Sequence, residues 1–248
     1  ASTKSPPTAA ADAAASPAAR TRRLAPARVA VRSWRELTGG RPTLIACSGG
    51  ADSTALAIAL AGTGHALAIA HIVHDMRPAS EANADRDAVR DFAARLGLPF
   101  HEAHVSCRDD GNVESAARRA RYRALERIAR DANIPFVASA HHADDQFESM
   151  VMALVRGAGL RGLAGVAPTR PLSDSVTLVR PMLRLTRADS EAICRAAGID
   201  WVHDRTNLDE TRARAGLRLG PVAQIRSRRL GAALRAAKSA DLLRDAAQ

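Results

Sequence analysis

The stretch Thr43-Leu44-Ile45-Ala46-Cys47-Ser48-Gly49-Gly50-Ala51-Asp52-Ser53-Thr54 governs the reading of the whole chain. A short apolar run meets a turn of small residues, and the apolar helical pattern Ala55, Leu56, Ala59, Leu60 begins directly after it. That is how a buried parallel strand, about 43–47, hands over to a helix, about 53–61. Gly49 and Gly50 let the backbone turn tightly and approach a ligand with no Cβ in the way. Asp52 and Ser53 suit a helix start, where free N–H groups and the positive dipole end favour an anion. Ser48, Gly49, Gly50, Ala51, Asp52 and Ser53 therefore read as a phosphate cradle. No Gly-Lys-Ser/Thr follows, so this is not a Walker A loop and it lacks that loop's phosphate-binding lysine.

Working outward, Ala66 to Val73 is a second apolar run of strand length. A helix beginning near Ser80–Asn83 carries Ala88, Val89, Phe92, Ala93 and Leu96, and Gly97 closes it before Pro99. A third strand is expected over about 99–105. Asn112 is then placed to cap a helix over 113–131, with Val113, Ala116, Ala117, Ala120, Leu125 and Ile128 as its apolar stripe. Its polar face is read as basic, with Arg118, Arg119, Arg121, Arg123, Arg127 and Arg130 and with Tyr122 among them. A strand over 135–140 and a helix over 145–156 follow. Strands alternating with helices at this spacing predict an α/β fold, a doubly wound parallel sheet with helices on both faces. Ligands in such sheets sit beyond the carboxyl ends of the strands, so the polar clusters after 47, 73 and 140 should line one crevice.

The 248 residues are 46% apolar and 25% charged, ordinary for a globular protein. Residues 1–24 are rich in Ala, Pro, Ser and Thr, bury too little to offset their ordering entropy, and are expected to be disordered. A short helix over 27–38 should end at Gly39-Gly40. The expected division is thus a tail at 1–24, a catalytic domain at 25–210 and a basic helical segment at 211–248. The net charge of +10 lies at the ends: residues 205–248 hold ten basic and four acidic side chains, whereas 25–204 are nearly balanced. A basic end suits a polyanion such as RNA, and equally a solvated arginine-rich helix. Cys47, Cys107 and Cys194 are too scattered for a disulfide framework or a C-x-x-C pair, which points to a reducing cytoplasm. No apolar run is long enough to span a bilayer and no secretory signal is read at the N-terminus, so no membrane role is expected. His71/His74 and His101/His104 have His-x-x-His spacing, but no cysteine joins either pair to complete a zinc set.

The second constellation is His141-His142-Ala143-Asp144-Asp145-Gln146-Phe147-Glu148-Ser149. Carboxylates at a strand end facing a phosphate loop can hold Mg²⁺, and helical spacing puts Asp144 and Glu148 on one face. The competing reading is helix-start acids that complement the dipole, with Asp144 as the cap. Arg156-Gly157-Ala158-Gly159-Leu160-Arg161-Gly162-Leu163 then forms a glycine-rich basic loop fit to contact RNA or phosphate.

Ser48 to Ser53 after a strand resembles the pyrophosphate loop (PP-loop) of the N-type ATP pyrophosphatases, whose fold is adenine nucleotide α-hydrolase-like. His71 to Ser80, Ala116 to Tyr122, Ala140 to Ser149, Arg156 to Leu163, Val179-Arg180-Pro181-Met182-Leu183 and His203-Asp204-Arg205-Thr206-Asn207 follow in order. The ordered set, over roughly 40–215, resembles tRNA(Ile)-lysidine synthetase. That resemblance implies a tRNA-modifying ligase using ATP and Mg²⁺, with isoleucine tRNA (CAU anticodon) and free L-lysine as substrates. It further implies adenylation at C2 of the wobble cytidine, followed by displacement of AMP by the lysine amine. It places the nucleotide at Ser48, Gly49, Gly50, Ala51, Asp52 and Ser53, and catalytic carboxylates at Asp52, Asp144 and Asp145. Asp144 and Glu148 are the expected metal ligands. Arg118, Arg121, Tyr122, Arg156 and Arg161 are the expected RNA-facing residues, since arginine pairs with phosphate and a ring can stack on a base.

Ser149 stands where that family usually has threonine, and Arg212, Arg214 and Arg218 match its last arginine-rich stretch only loosely. Many members continue past the point where this chain stops, into further tRNA-recognising domains. Selection of one tRNA is therefore expected to rest on the core, the tail, a partner or a homodimer. Two alternatives belong to other classes: a related PP-loop tRNA thiolase, and an RNA-binding protein with an impaired ATP site.

Overall fold

The computed structural model describes residues 16–75, 78–106, 113–202 and 216–247. Residues 1–15, Met76, Arg77, Cys107, Asn112, the His203–Asn207 stretch, Arg212 and Arg214 lie outside them, as do the side chains of Val113 and Arg218.

Two helices, α1 (Pro17–Thr21) and α2 (Ala25–Thr38), lead into β1 (Thr43–Ala46). Then come α3 (Ala51–Ala61), β2 (Leu67–His74), α4 (Ala79–Leu96), β3 (Phe100–Val105), α5 (Val113–Asp131) and β4 (Phe136–Ala138). The chain continues through α6 (Ala143–Val155), α7 (Leu160–Leu163), a hairpin of β5 (Thr169–Pro171) and β6 (Thr177–Val179), and α8 (Arg187–Ala197). A π-helical turn (Arg218–Val222), α9 (Ala223–Arg228) and α10 (Ala232–Ala246) form the tail.

The six strands lie in the order β3-β2-β1-β4-β6-β5. All pair in parallel except β5, which runs antiparallel on the edge, where Pro171 costs no interior ladder bond. Alternation along the strands sorts the core into two layers. Ile45, Ile69 and Val179 face Trp34 of α2, Leu56 of α3, Phe92 of α4 and Ile193 of α8. Leu44, Ala68, Ala70, Val137 and Leu178 face Tyr122, Leu125 and Ala129 of α5. Right-handed crossovers explain the split: β1-α3-β2-α4-β3 advances one way across the sheet, and the return to β4 on the far side of β1 puts α5 on the other face.

Three departures from the sequence reading concern packing. Residues 16–24 are not an unstructured leader: Ser16 Oγ accepts from Ala19 N at 3.3 Å, Thr21 is buried, and Arg20 Nη1 donates to Ala197 O at 3.4 Å. Ala18 seats over Gly62, where a Cβ would lie 3.4 Å from its carbonyl oxygen. Tyr122 is not on the polar face of α5 but in its core face, 6% exposed. The tail is helical as expected, yet it is docked: Ala233 and Ala237 of α10 pack on Ala143 and Phe147 of α6. Small residues let these two helices approach, and Arg244 Nη2 ties α10 down by donating to Ala164 O (3.0 Å) and Val166 O (3.2 Å).

Candidate active site

Strand order reverses direction at β1, with β2 on one side and β4 on the other, so a crevice opens beyond their carboxyl ends. A cavity of about 360 Å³ occupies it, lined among others by Ser48, Asp52, Ser53, His74, Arg121, Tyr122, His141 and Asp145. The clusters after β1, β2 and β4 thus share one wall, as expected from the strand pattern.

The loop is held by its own side chains. Ser53 Oγ accepts from Ser48 N at 3.1 Å, donates to Gly50 O at 3.1 Å and lies 3.3 Å from Ser48 Oγ. Gly49 has φ +87°, and a Cβ there would lie 3.2 Å from both Val202 Cγ2 and Val89 Cγ2, so only glycine fits without strain. Gly50, in extended conformation, is the N-cap of α3, which starts at Ala51, two residues before the expected position. Glycine has no side chain to cap the helix, so the first-turn N–H groups, which lack intrahelical acceptors, are left without a side-chain cap at the positive end of the dipole. Such a helix start suits an anion.

Across the cavity stands α6. Its cap is His142, not Asp144: the His142 N–H donates to Asp145 Oδ2 at 3.0 Å, and His142 Nδ1 lies 3.4 Å from Asp145 N. Asp145 occupies the third helical position and folds back to the cap, which extends α6 two residues beyond the expected start at 145. His142 Nε2 meets Asp52 Oδ2 at 3.3 Å, joining the two motifs directly. Nδ1 is also 3.6 Å from Asp144 Oδ2 and 3.5 Å from Asp145 Oδ2. Burial opposes a charge on this ring, but Asp145, Asp52 and Asp144 outweigh it and push its pKa up to about 9. Carboxylates face both ring nitrogens and favour the charged form, whereas the 3.4 Å contact from Asp145 N uses Nδ1 as an acceptor. His141 is its opposite. Burial holds it down to about 3, with Asp145 opposing and Arg180, Arg118 and Arg121 adding to the shift. It stays neutral, 2.9 Å from Ser139 Oγ.

Asp144 and Glu148, expected as metal ligands facing the loop, are not among the residues lining this cavity. Both are buried, at 3% and 4% exposure. Asp144 Oδ2 accepts from the Arg187 N–H at 2.9 Å, and Oδ1 pairs with Arg226 Nη1 of the tail at 3.0 Å. Asp144 points about 100° around the helix from Asp145, and its two partners hold it on that side. Among the described residues no cluster of three His, Cys, Asp or Glu side chains could hold a metal. The oxygen best suited to a cation is Asp52 Oδ1, which is buried and has no hydrogen-bond partner among the described residues.

Tyr122, expected to stack on a base, has its ring faces occupied. Arg118, Arg121 and Arg170 lie 5.2, 5.4 and 4.5 Å from its centroid. Burial raises the phenol pKa, but the charges of Arg118, Arg121 and Arg180 more than reverse this and lower it. Of the predicted RNA-facing arginines, Arg121 lines the cavity, Arg118 lines a separate cleft with Arg119, Tyr122 and Arg170, and Arg156 and Arg161 are exposed beyond the end of α6. Arg180, Arg226 and His142, which do not line the cavity, contact or act electrostatically on residues of the sequence-predicted set. Arg180 is 3% exposed and donates to Ala167 O. Its signal was its place directly after a strand of the same sheet, and that of His142 was its place before two acids at a helix start. No sequence signal marked Arg226.

A family model described as a PP-loop domain matches residues 27–223. The tRNA(Ile)-lysidine synthase of Salinispora tropica is 41% identical over 190 residues, which cover 74% of this chain and 56% of that protein. That of Ralstonia nicotianae is 39% identical over 191 residues, covering 73% and 40%. The chain thus spans about half the length of the curated relatives it matches, or less. Among solved structures, the U34-tRNA thiolase NcsA from Methanococcus maripaludis with its [4Fe-4S] cluster superposes with a TM-score of 0.66 over 88% of this chain and 78% of that one. At 16% identity it speaks for the fold alone.

Proposed function

The chain belongs to the PP-loop domain family, and from that premise we propose that it is an ATP-dependent tRNA(Ile)-lysidine synthetase. In this reading the O2 of the wobble cytidine in an isoleucine tRNA with a CAU anticodon attacks the α-phosphate of ATP. Pyrophosphate leaves, and the amine of free L-lysine then displaces AMP from C2. The observation that carries it is the 3.3 Å contact between Asp52 and His142, which brings the phosphate loop and the second constellation to one cavity. The names of the relatives supply the substrate.

The N–H groups of Ala51 and Asp52 and the imidazolium of His142 would stabilise charge on the triphosphate, and the loop geometry would hold it in line. Arg121 at the cavity wall would contact RNA or departing phosphate. Arg118, Arg156 and Arg161 would extend that basic contact outward. Neutral His141 offers hydrogen bonding to substrate without adding charge. Mg²⁺, where bound, would be held by Asp52 Oδ1 and substrate oxygens, with Asp145 in reach of the same cavity, and would neutralise phosphate charge. Asp144 would act as a positioning residue for His142. Tyr122 enters as a core support for the arginines. Among the described cysteines the chemistry speaks against the thiolase alternative: Cys47 and Cys194 are buried, and burial raises the Cys47 thiol pKa and pushes that of Cys194 up to about 12.

The test is incubation with ATP, Mg²⁺, labelled lysine and isoleucine tRNA transcript, beside Asp52→Ala. Label in the tRNA, lost in the variant, is the expected result. Pyrophosphate release that depends on tRNA but leaves no label would sink the lysine assignment and keep adenylation.

A further inference from the structure

A second cleft, of about 600 Å³, lies at the far end of α3 from the phosphate loop. Arg28, Arg32 and Arg35 of α2 line it with Arg22, over a floor that includes Ala59 and Thr63. The three α2 arginines stand at i, i+4 and i+7, on one helix face. All four are exposed, and none is ion-paired with a described carboxylate, although Glu36 also lines the cleft. Like charges three and four apart destabilise a helix, and Arg28 sits near the dipole's positive end, where a cation is unfavourable. Glu36, four residues after Arg32 and in the same cleft, offsets one of these charges and leaves the cluster with an excess of positive charge. An external anion would offset that excess.

At ~1.5 Å rise per residue the three guanidinium stems spread over about 10 Å. One nucleic-acid strand presents a phosphate every ~3.4 Å along its axis, so that length faces about three phosphates rather than one. No aromatic ring is among the described lining residues, so there is nothing on which a base could stack, and contact would be to the sugar–phosphate backbone. The geometry points to the α2 cleft as a second docking site for an RNA backbone, about one α3 length (roughly 16 Å) from the phosphate loop. It positions the polynucleotide while the base reacts at the strand ends. The identity of the RNA rests on the proposed function; the cleft's chemistry does not.

The experiment is fluorescence anisotropy of labelled isoleucine tRNA with the full chain over a salt series, beside the triple variant R28A/R32A/R35A. Alanine keeps helix propensity in α2, and circular dichroism checks the fold. Losing about three phosphate contacts should make the log–log salt slope shallower by roughly 2 to 3 and weaken binding about ten-fold or more. Binding of a non-hydrolysable ATP analogue should not move. Unchanged slope and affinity would overturn the inference. So would a variant that binds tRNA normally but loses tripolyphosphate in calorimetry, which would make the cleft a free-anion site. If the parent chain binds tRNA through the cleft yet attaches no lysine, the cleft stands and the lysidine reading falls.

Discussion

Two adjacent histidines with opposite shifts should give the ligand-free protein a stability maximum near the ordinary histidine pKa of about 6.5. His142, pushed up to about 9, keeps its proton in the fold while the unfolded chain releases one above 6.5. The unfolded state then binds fewer protons, so stability is fully present below about 6.5 and falls as pH rises toward 9. One proton corresponds to ~1.4 kcal/mol per pH unit, or about 3 kcal/mol across the window. The ring is 8% exposed, so solvent screening takes little from this. His141, held down to about 3, behaves in reverse. Below 6.5 the unfolded chain takes up a proton that the fold refuses, so stability drops with falling pH at a similar slope. Urea unfolding followed by circular dichroism at pH 5, 6.5, 8 and 9, without Mg²⁺, measures both limbs. His142→Gln should flatten the alkaline limb and leave the acid one; His141→Gln should do the opposite. An alkaline limb that survives in His142→Gln would refute the assignment of the buried imidazolium.

Gly49→Ala should cost about 1–2 kcal/mol, from a positive φ and a Cβ pressed between Val89 and Val202, and should weaken binding of an ATP analogue; urea unfolding and calorimetry check both. Tyr122→Ala should lose about 3–5 kcal/mol, as a buried ring does, whereas Tyr122→Phe should be mild. A stable Tyr122→Ala protein with selectively lost RNA affinity would return Tyr122 to the surface role. Arg226→Ala leaves Asp144 Oδ1 buried without its cation. The loss should be about 1–2 kcal/mol, below the ~3–5 for a fully buried pair because Arg226 is 41% exposed. A double-mutant cycle with Asp144→Asn should be non-additive, and additivity would mean the pair does not couple.

What was legible in the sequence is what short stretches decide for themselves. Ser48 to Ser53 carries its fold locally, because Ser53 Oγ and two glycines shape the turn with few distant partners. The strands were legible because parallel sheets demand apolar runs bounded by turns, and the order of crossovers follows from handedness. Tyr122 lies between Arg121 and Arg123, and so charged a run reads as a solvent face. Its own spacing gave the signal: Tyr122, Leu125 and Ala129 recur at i, i+3 and i+7, the stripe that the second core layer buries. The β5–β6 hairpin and the docking of α1 and α10 depend on contacts with distant chain segments, which no local period announces.

The carboxylates of α6 raise a sharper point about motifs. Asp144 and Asp145 are adjacent, and a motif counts both as site residues. In α6 only Asp145 lines the cavity, and the cap it makes with His142 holds it there. His142 at the N-cap draws Asp145 back to its own N–H, so Asp145 borders the cavity and Asp144 turns to Arg187 and Arg226. Asp144 then acts on the cavity through the ring it touches: its charge helps keep His142 protonated, and His142 holds Asp52. Arg226 bears on this chain of contacts from a tail segment that follows the family match at 27–223. The tail therefore reaches the loop by electrostatic contact through two buried residues, which makes Arg226 the position where a change outside the matched domain should be felt at Asp52.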